Sequence, residues 1–139
     1  MPAPIIVFLH DARYDRVYQA VSLLATAVRM GRPAYLCLFY DALASLVAGT
    51  WDDVETLRAL GDDPPWRVAI ALGFARNEGP PPTEILAAAR AEGCKVFACS
   101  TSVRIMDLDP VDVAPKVDAI VGMATMLEAA GEGAVALYI

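Results

Sequence analysis

The sequence predicts an α/β domain, a three-layer α/β/α sandwich with a mainly parallel sheet of four or five strands. Three observations support this fold class. Short apolar runs alternate with segments of helical periodicity along the whole chain. The apolar runs are continuous, as in parallel strands that are buried on both faces. The 139 residues suit a single domain, residues 1–139, with its own core.

The first third of the chain predicts a strand, a helix and a second strand. Residues 5–9 are continuously apolar, and residues 14–28 then carry apolar side chains at three- and four-residue steps. Gly31 occupies the position of a left-handed helix cap, and Pro33 prevents the helix from continuing. Residues 34–39 are again apolar and form the second predicted strand.

Two further helices are predicted before the middle of the chain. Asp41 is a suitable N-cap for a helix over residues 42–48, which Gly49 would end. Thr50 is a suitable N-cap for the next helix, predicted to reach Leu60 before Gly61.

Residues 66–74 have two interpretations. Apolar residues alternate there with other residues at every second position, which favours a strand. Ala69 and Ala71 lie between them, so a buried helix remains the alternative. We predict the strand.

The last part of the chain again alternates strands and helices. We predict a helix capped by Thr83 and ending near Gly93, a strand over 95–98, and a short helix opened by residues 100–102. A loop over 107–116, a short strand over 118–121, a helix over 123–130 and a strand over 134–139 follow.

Composition and charge exclude several classes of protein. Hydrophobic residues make up 57% and charged residues 20%, which excludes a disordered chain. No apolar run approaches the ~20 residues of a membrane helix, and the N-terminal residues lack the pattern of a signal peptide. The net charge of −6 disfavours nucleic-acid binding and anionic lipid surfaces. We therefore expect a cytoplasmic protein that binds neither nucleic acid nor membrane.

Cys99 is the main candidate for a functional side chain. It follows a predicted strand at the edge where ligands bind to parallel sheets, and this strand-end placement predicts a thiol that is open to solvent. Backbone N–H groups of a helix beginning at the next residues would stabilise its thiolate. Neighbouring polar side chains would assist, namely Ser100, Thr101, Ser102 and Arg104. The alternative is that Cys99 is a small apolar side chain packed in the core.

The other candidates each have a structural alternative. His10 ends the first strand and is either a proton donor or ligand contact, or an ordinary loop histidine. Tyr14 either lines the same edge or packs at the helix start. Cys37 lies inside a strand and is assigned to the core. Cys94 and Cys99 lie at opposite ends of one strand, ~16 Å apart, and a disulfide requires Cα atoms within ~7 Å.

Several known site types are missing from the sequence. Arg104 comes one position too early for a Cys-x5-Arg phosphatase loop, and no nucleotide-binding glycine motif is found. With one histidine and no close Cys/His cluster, we expect no metal site. We also expect no organic cofactor.

Two segments resemble the DsrE/DsrF-like family: residues 96–102 (VFACSTS) and residues 121–128 (VGMATMLE), followed by a terminal strand. The opening strand and the turn at Tyr14 are similar as well. The resemblance implies a small cytoplasmic α/β protein that assembles into trimers or hexamers. It also implies that Cys99 carries persulfide sulfur, taken from a donor protein and passed to an acceptor. Residues 104–107 are bulkier than the glycine-containing stretch of some sulfur-transfer members.

The resemblance and the residues together lead to alternative functions. The first is a sulfur-relay protein, a sulfurtransferase or persulfide carrier, with Cys99 as its reactive group. The second is a non-catalytic oligomeric module that binds a small ligand or a partner, with Cys99 packed and unreactive. A thiol redox sensor is a third, and it would need an intersubunit partner for Cys99. High apolar content favours a homo-oligomer in each case.

Overall fold

The computed structural model describes residues 2–58, 64–77 and 79–139. Within these ranges five strands form one parallel sheet, in the spatial order β4-β3-β2-β1-β5. The strands are β1 (Ile5–Leu9), β2 (Ala34–Leu38), β3 (Lys95–Cys99), β4 (Ala119–Val121) and β5 (Val135–Tyr138). The prediction of an α/β fold with a parallel sheet is confirmed.

Helices connect the strands in the alternation that the sequence predicted. They are α1 (Tyr14–Arg29), α2 (Tyr40–Ala48), α3 (Pro65–Arg76), α4 (Pro82–Ala91), α5 (Ser100–Ile105), α6 (Pro110–Val113) and α7 (Met123–Ala130). Short 3-10 helices span Val54–Arg58 and Ala114–Lys116.

The sheet separates two apolar clusters. Strand side chains such as Val7, Leu36 and Val96 pack with α1, α2 and α4 in the larger cluster. The smaller cluster lies on the opposite face, and among the described residues α7 supplies its buried helical side chains. Its buried members are Ile6, Phe8, Cys37, Phe39, Cys99, Met126 and Ala130. We call this smaller group the α7 cluster. Helices therefore lie on both faces, which gives the three layers of the predicted sandwich.

The predicted strand over 66–74 is wrong, because these residues lie in helix α3. Pro64 and Pro65 start this helix, and proline is well tolerated in a first helical turn. Ala71 is buried, and Phe74 packs against the ring of Tyr14 at 4.9 Å. The alternation of apolar residues has no structural meaning here, since α3 is apolar on nearly every side.

Three helix starts differ from the predictions. Asp41 lies inside α2, and Phe39 precedes the helix without a side-chain cap. The helix predicted from Thr50 is a 3-10 helix over Val54–Arg58, while its predicted end at Leu60 and Gly61 lies outside the described residues. Thr83 lies within α4, where the Asp52 carboxylate accepts its backbone N–H at 3.0 Å. At α4 a residue distant in sequence, Asp52, binds a free N–H group of the first turn in place of the expected cap.

The predicted loop over 107–116 contains regular structure. Asp109 accepts the Val111 N–H at 2.9 Å and so caps α6, which the 3-10 helix Ala114–Lys116 follows directly. The predicted glycine ends are confirmed at Gly31 and Gly49, both with a φ of 78°. This is the left-handed region that glycine adopts without strain.

Candidate functional site

The register of the sheet places four side chains in one row at the carboxyl edge. Leu38 pairs with Leu9 on one side and with Ala98 on the other. One residue further along, Phe39 therefore lies between His10 and Cys99, and Cys99 pairs with Val121. Side chains alternate between the faces of a sheet, so this row lies on the α7 side.

Cys99 both ends β3 and precedes α5. Its Sγ accepts the backbone N–H of Ser102 at a distance of 3.4 Å. This is the position of a helix N-cap, whose side chain accepts one of the free N–H groups of the first turn. The prediction that a short helix opens at residues 100–102 and directs an N–H group at this sulfur is confirmed, and the helix begins at Ser100.

The thiol is covered in this structure. Only 6% of Cys99 is exposed, and it belongs to the α7 cluster together with Cys37, Phe39 and Met126. Strand-end placement alone predicted an open thiol, and that expectation is wrong. The reason is that α7 lies over this face of the sheet as well as along its edge. Little of this residue is therefore open to a reagent in solution.

The three hydroxyl residues after Cys99 have different surroundings. Ser100 and Thr101 are exposed, whereas Ser102 is fully buried. Within the described part of the chain, the Ser102 hydroxyl has no hydrogen-bond partner. An added Cβ at Gly122, just before α7, would lie 3.9 Å from Ser100 Oγ. The first turns of α5 and α7 therefore meet beside Cys99.

The remaining predicted residues lie further from the sulfur. Arg104 is exposed in the last turn of α5. His10 is exposed, and its ring stacks on Phe39 at 4.7 Å, so Phe39 separates it from Cys99. Tyr14 is buried against α3, and its backbone N–H is donated to Thr56 Oγ1 at 2.8 Å. Tyr14 therefore packs in a different cluster from Cys99.

Two residues at this edge were missed by sequence reasoning. Phe39 was assigned only to a strand, although the register makes it the neighbour of both His10 and Cys99. Tyr40 has a φ of 40°, unusual for a residue with a side chain, and its ring lies 6.0 Å from His10. Aligning the carboxyl ends of the predicted strands would have placed Phe39 beside His10 and Cys99. No sequence pattern predicts the positive φ angle of Tyr40.

The other two cysteines are buried thiols. Burial raises the pKa of Cys37 to about 12, with a smaller contribution from nearby Cys99. Burial also raises the pKa of Cys94 to about 12. Cys94 immediately precedes β3 and Cys99 ends it, as predicted, and all three cysteines are free.

The described residues contain neither a cluster of metal ligands nor a helix that could span a membrane. Within 2–58, 64–77 and 79–139 there is no group of three or more His, Cys, Asp or Glu side chains that could hold a metal ion. Among the helices in these ranges, none combines the length and the apolar character needed to cross a bilayer.

Comparisons with known proteins bear on the family. No curated protein matches the sequence. The fold is similar to the crystal structure of the ychN protein from E. coli, with a TM-score of 0.56 and 15% identity over 99% of this chain and 100% of that one. Residues 73–138 match the model of the DsrE/DsrF/DrsH-like family. This segment contains Cys99, α5 and α7, and it confirms the chain's resemblance to the DsrE/DsrF-like proteins.

Proposed function

We propose that this protein carries sulfur as a persulfide on Cys99 and passes it between a donor and an acceptor protein. The supporting observation is the hydrogen bond from the Ser102 N–H to Cys99 Sγ, within the segment that matches the family. We further propose a cytoplasmic location, where the reducing environment keeps thiols free.

The transfer requires two substitutions at sulfur. The Cys99 thiolate attacks the outer sulfur of a donor persulfide, and the donor's sulfur–sulfur bond breaks as its inner sulfur leaves as a thiolate. An acceptor nucleophile then attacks the outer sulfur on Cys99, and Cys99 leaves as a thiolate. Each step exchanges one bond to sulfur for another, so no external oxidant or reductant is needed.

Burial of Cys99 requires that its cover moves during loading. Phe39 and Met126 share its apolar cluster, and α7 begins beside Ser100. We propose that docking of the donor protein displaces the start of α7 and so exposes the sulfur.

Intact-mass measurement after incubation with a persulfide donor tests this function. The wild-type protein should gain the mass of sulfur, and Cys99→Ser should gain none. Cys37→Ala and Cys94→Ala are matched controls and should still gain sulfur. Equal gain by Cys99→Ser would overturn the proposal.

A second candidate function is an oligomeric binding module in which Cys99 is only a packing residue. The 6% exposure of Cys99 favours this alternative. Iodoacetamide labelling of the folded protein separates the two functions. Labelling of Cys99 without unfolding supports the carrier, whereas labelling only on unfolding supports the binding module.

We also propose that the protein is a homo-oligomer, a trimer or hexamer as the resemblance implies. Several large apolar side chains are exposed, which is typical of surfaces that bind other subunits. The most exposed of them are Met30, Trp66, Ile105, Val111 and Tyr138. Sedimentation should give a mass several times 14.8 kDa, and a monomer at micromolar concentration would contradict this.

A further inference from the structure

The outer side of α3 is an open apolar stripe. Trp66, Ala69, Ile70 and Gly73 recur at three- and four-residue steps, so they share one side of the helix. Trp66 is 68% exposed and Ile70 is 42% exposed. An added Cβ at Gly73 would meet no atom within 4 Å. A helix that is apolar on nearly every side is normally enclosed by other elements, so this exposed stripe lacks a cover.

Helix α7 has an apolar stripe of its own on the opposite face of the molecule. Met123 and Leu127 lie one turn apart and are 45% and 53% exposed. Ala124 is exposed between them. Tyr138, which is 72% exposed, lies on the same face of the sheet, because it pairs with Phe8 of the α7 cluster.

The two stripes carry opposite charge. Helix α3 contains two arginines and no acidic residue, and Arg76 continues its stripe three residues after Gly73. Helix α7 contains Glu128 and no basic residue, and Glu128 is exposed next to Leu127. Two α3 stripes would bring Arg76 against Arg76, and two α7 stripes would bring Glu128 against Glu128, so like stripes repel each other. An α3 stripe and an α7 stripe bring opposite charges together and attract each other.

We propose that α3 of one copy packs against α7 of a neighbouring copy, with Arg76 facing Glu128 across the contact. This inference rests on the self-association proposed above and assigns its surfaces. Within one chain the buried sides of the two helices belong to different clusters, so we assign the contact to two copies. A contact between two different surfaces is head-to-tail and can close into a ring.

Sedimentation velocity of the full chain with reversed charges tests the contact. Arg76→Glu and Glu128→Arg should each weaken association by about tenfold or more, since each places like charges together. The double variant restores an opposite pair and should recover wild-type association. A mixture of the two single variants should associate more strongly than either variant alone, because every contact between unlike variants pairs opposite charges.

Arg29→Glu in the last turn of α1 is the matched control. It reverses an exposed arginine outside both stripes and should leave association unchanged. The assigned surfaces are wrong if the wild type is oligomeric and both single variants equal it, or if the double variant remains as weak as the singles. A monomeric wild type would overturn self-association as well, while the sulfur-loading test of Cys99 would remain independent.

Discussion

At the scale of single residues, the three cysteines differ in what surrounds their sulfur. Cys99 accepts a backbone N–H, because the chain changes there from strand to helix and leaves donors free. Cys37 is buried in the same apolar cluster as Cys99, and Cys94 is buried just before β3; burial raises the pKa of Cys37 and of Cys94 to about 12. The three buried thiols therefore differ in the backbone around them, which leaves a free N–H group beside the Cys99 sulfur.

Alkaline pH should destabilise the fold through Cys37 and Cys94. Their ordinary pKa is 9.0 and their folded pKa is about 12. Below pH 9.0 both the folded and the unfolded chain keep the proton, and this contribution to stability is complete. Above it the unfolded chain loses the proton first, so the free energy of unfolding falls by up to about 1.4 kcal/mol per pH unit and thiol.

Urea unfolding at pH values from 8 to 11 measures this dependence. The double variant Cys37→Ala with Cys94→Ala is the control, since it lacks both thiols. Its free energy of unfolding should fall less steeply with pH than that of the wild type. If the free energy of unfolding falls equally with pH in the two proteins, the pKa values of these thiols are the same in the folded and the unfolded chain.

At the scale of elements, α3 shows how a periodic pattern misleads. Its apolar residues alternate as in a strand, yet the segment is a helix that buries Ala71 and packs Phe74 against Tyr14. Alternation distinguishes a strand from a helix only when the positions between the apolar residues are polar. Here several of those positions are alanine or glycine, which a helix and a strand accommodate equally well.

Gly73→Ala should stabilise the protein by about 0.5–1 kcal/mol, because Gly73 lies inside α3 and alanine is the better helix former. Gly31→Ala is the matched control. Both sites have open space for a Cβ, but Gly31 has a φ of 78°, so alanine there should destabilise by about 1–2 kcal/mol. Thermal unfolding measures both. Destabilisation by Gly73→Ala would contradict a regular, open helix at this site.

At the scale of the whole molecule, the two faces of the sheet are covered unequally. The larger cluster is packed by α1, α2 and α4, whereas α7 covers the face that holds Cys99. A site beneath a single short helix can open locally without unfolding the rest of the domain. We therefore expect the sulfur of Cys99, which is buried in this fold, to become accessible when α7 opens locally.

Met126→Ala should speed alkylation of Cys99 in the folded protein, because Met126 is the fully buried contact of α7 with this cluster. Leu24→Ala, equally buried but on the other face, is the control. Both changes should lower stability by about 2–5 kcal/mol. Iodoacetamide labelling in the absence of denaturant distinguishes them. Equal acceleration by both variants would mean that Cys99 is reached only through global unfolding.

The sequence by itself determined the architecture and identified Cys99 as the candidate for a reactive residue. Buried parallel strands must be continuously apolar, so β1, β2 and β3 were found directly, and the short helix after Cys99 followed from its position at a strand end. These features depend on neighbours along the chain, which is why one sequence is sufficient to predict them.

Only the tertiary structure decided what covers these elements. In the folded chain Phe39 lies between His10 and Cys99, and Tyr14 contacts α3. Helix α7 covers the Cys99 thiol, which was expected to be open. Each of these contacts joins residues far apart in the chain, and their geometry depends on sheet order and register. Local sequence patterns do not specify the order of the strands in the sheet, because many arrangements of the same strands and helices bury the same apolar side chains.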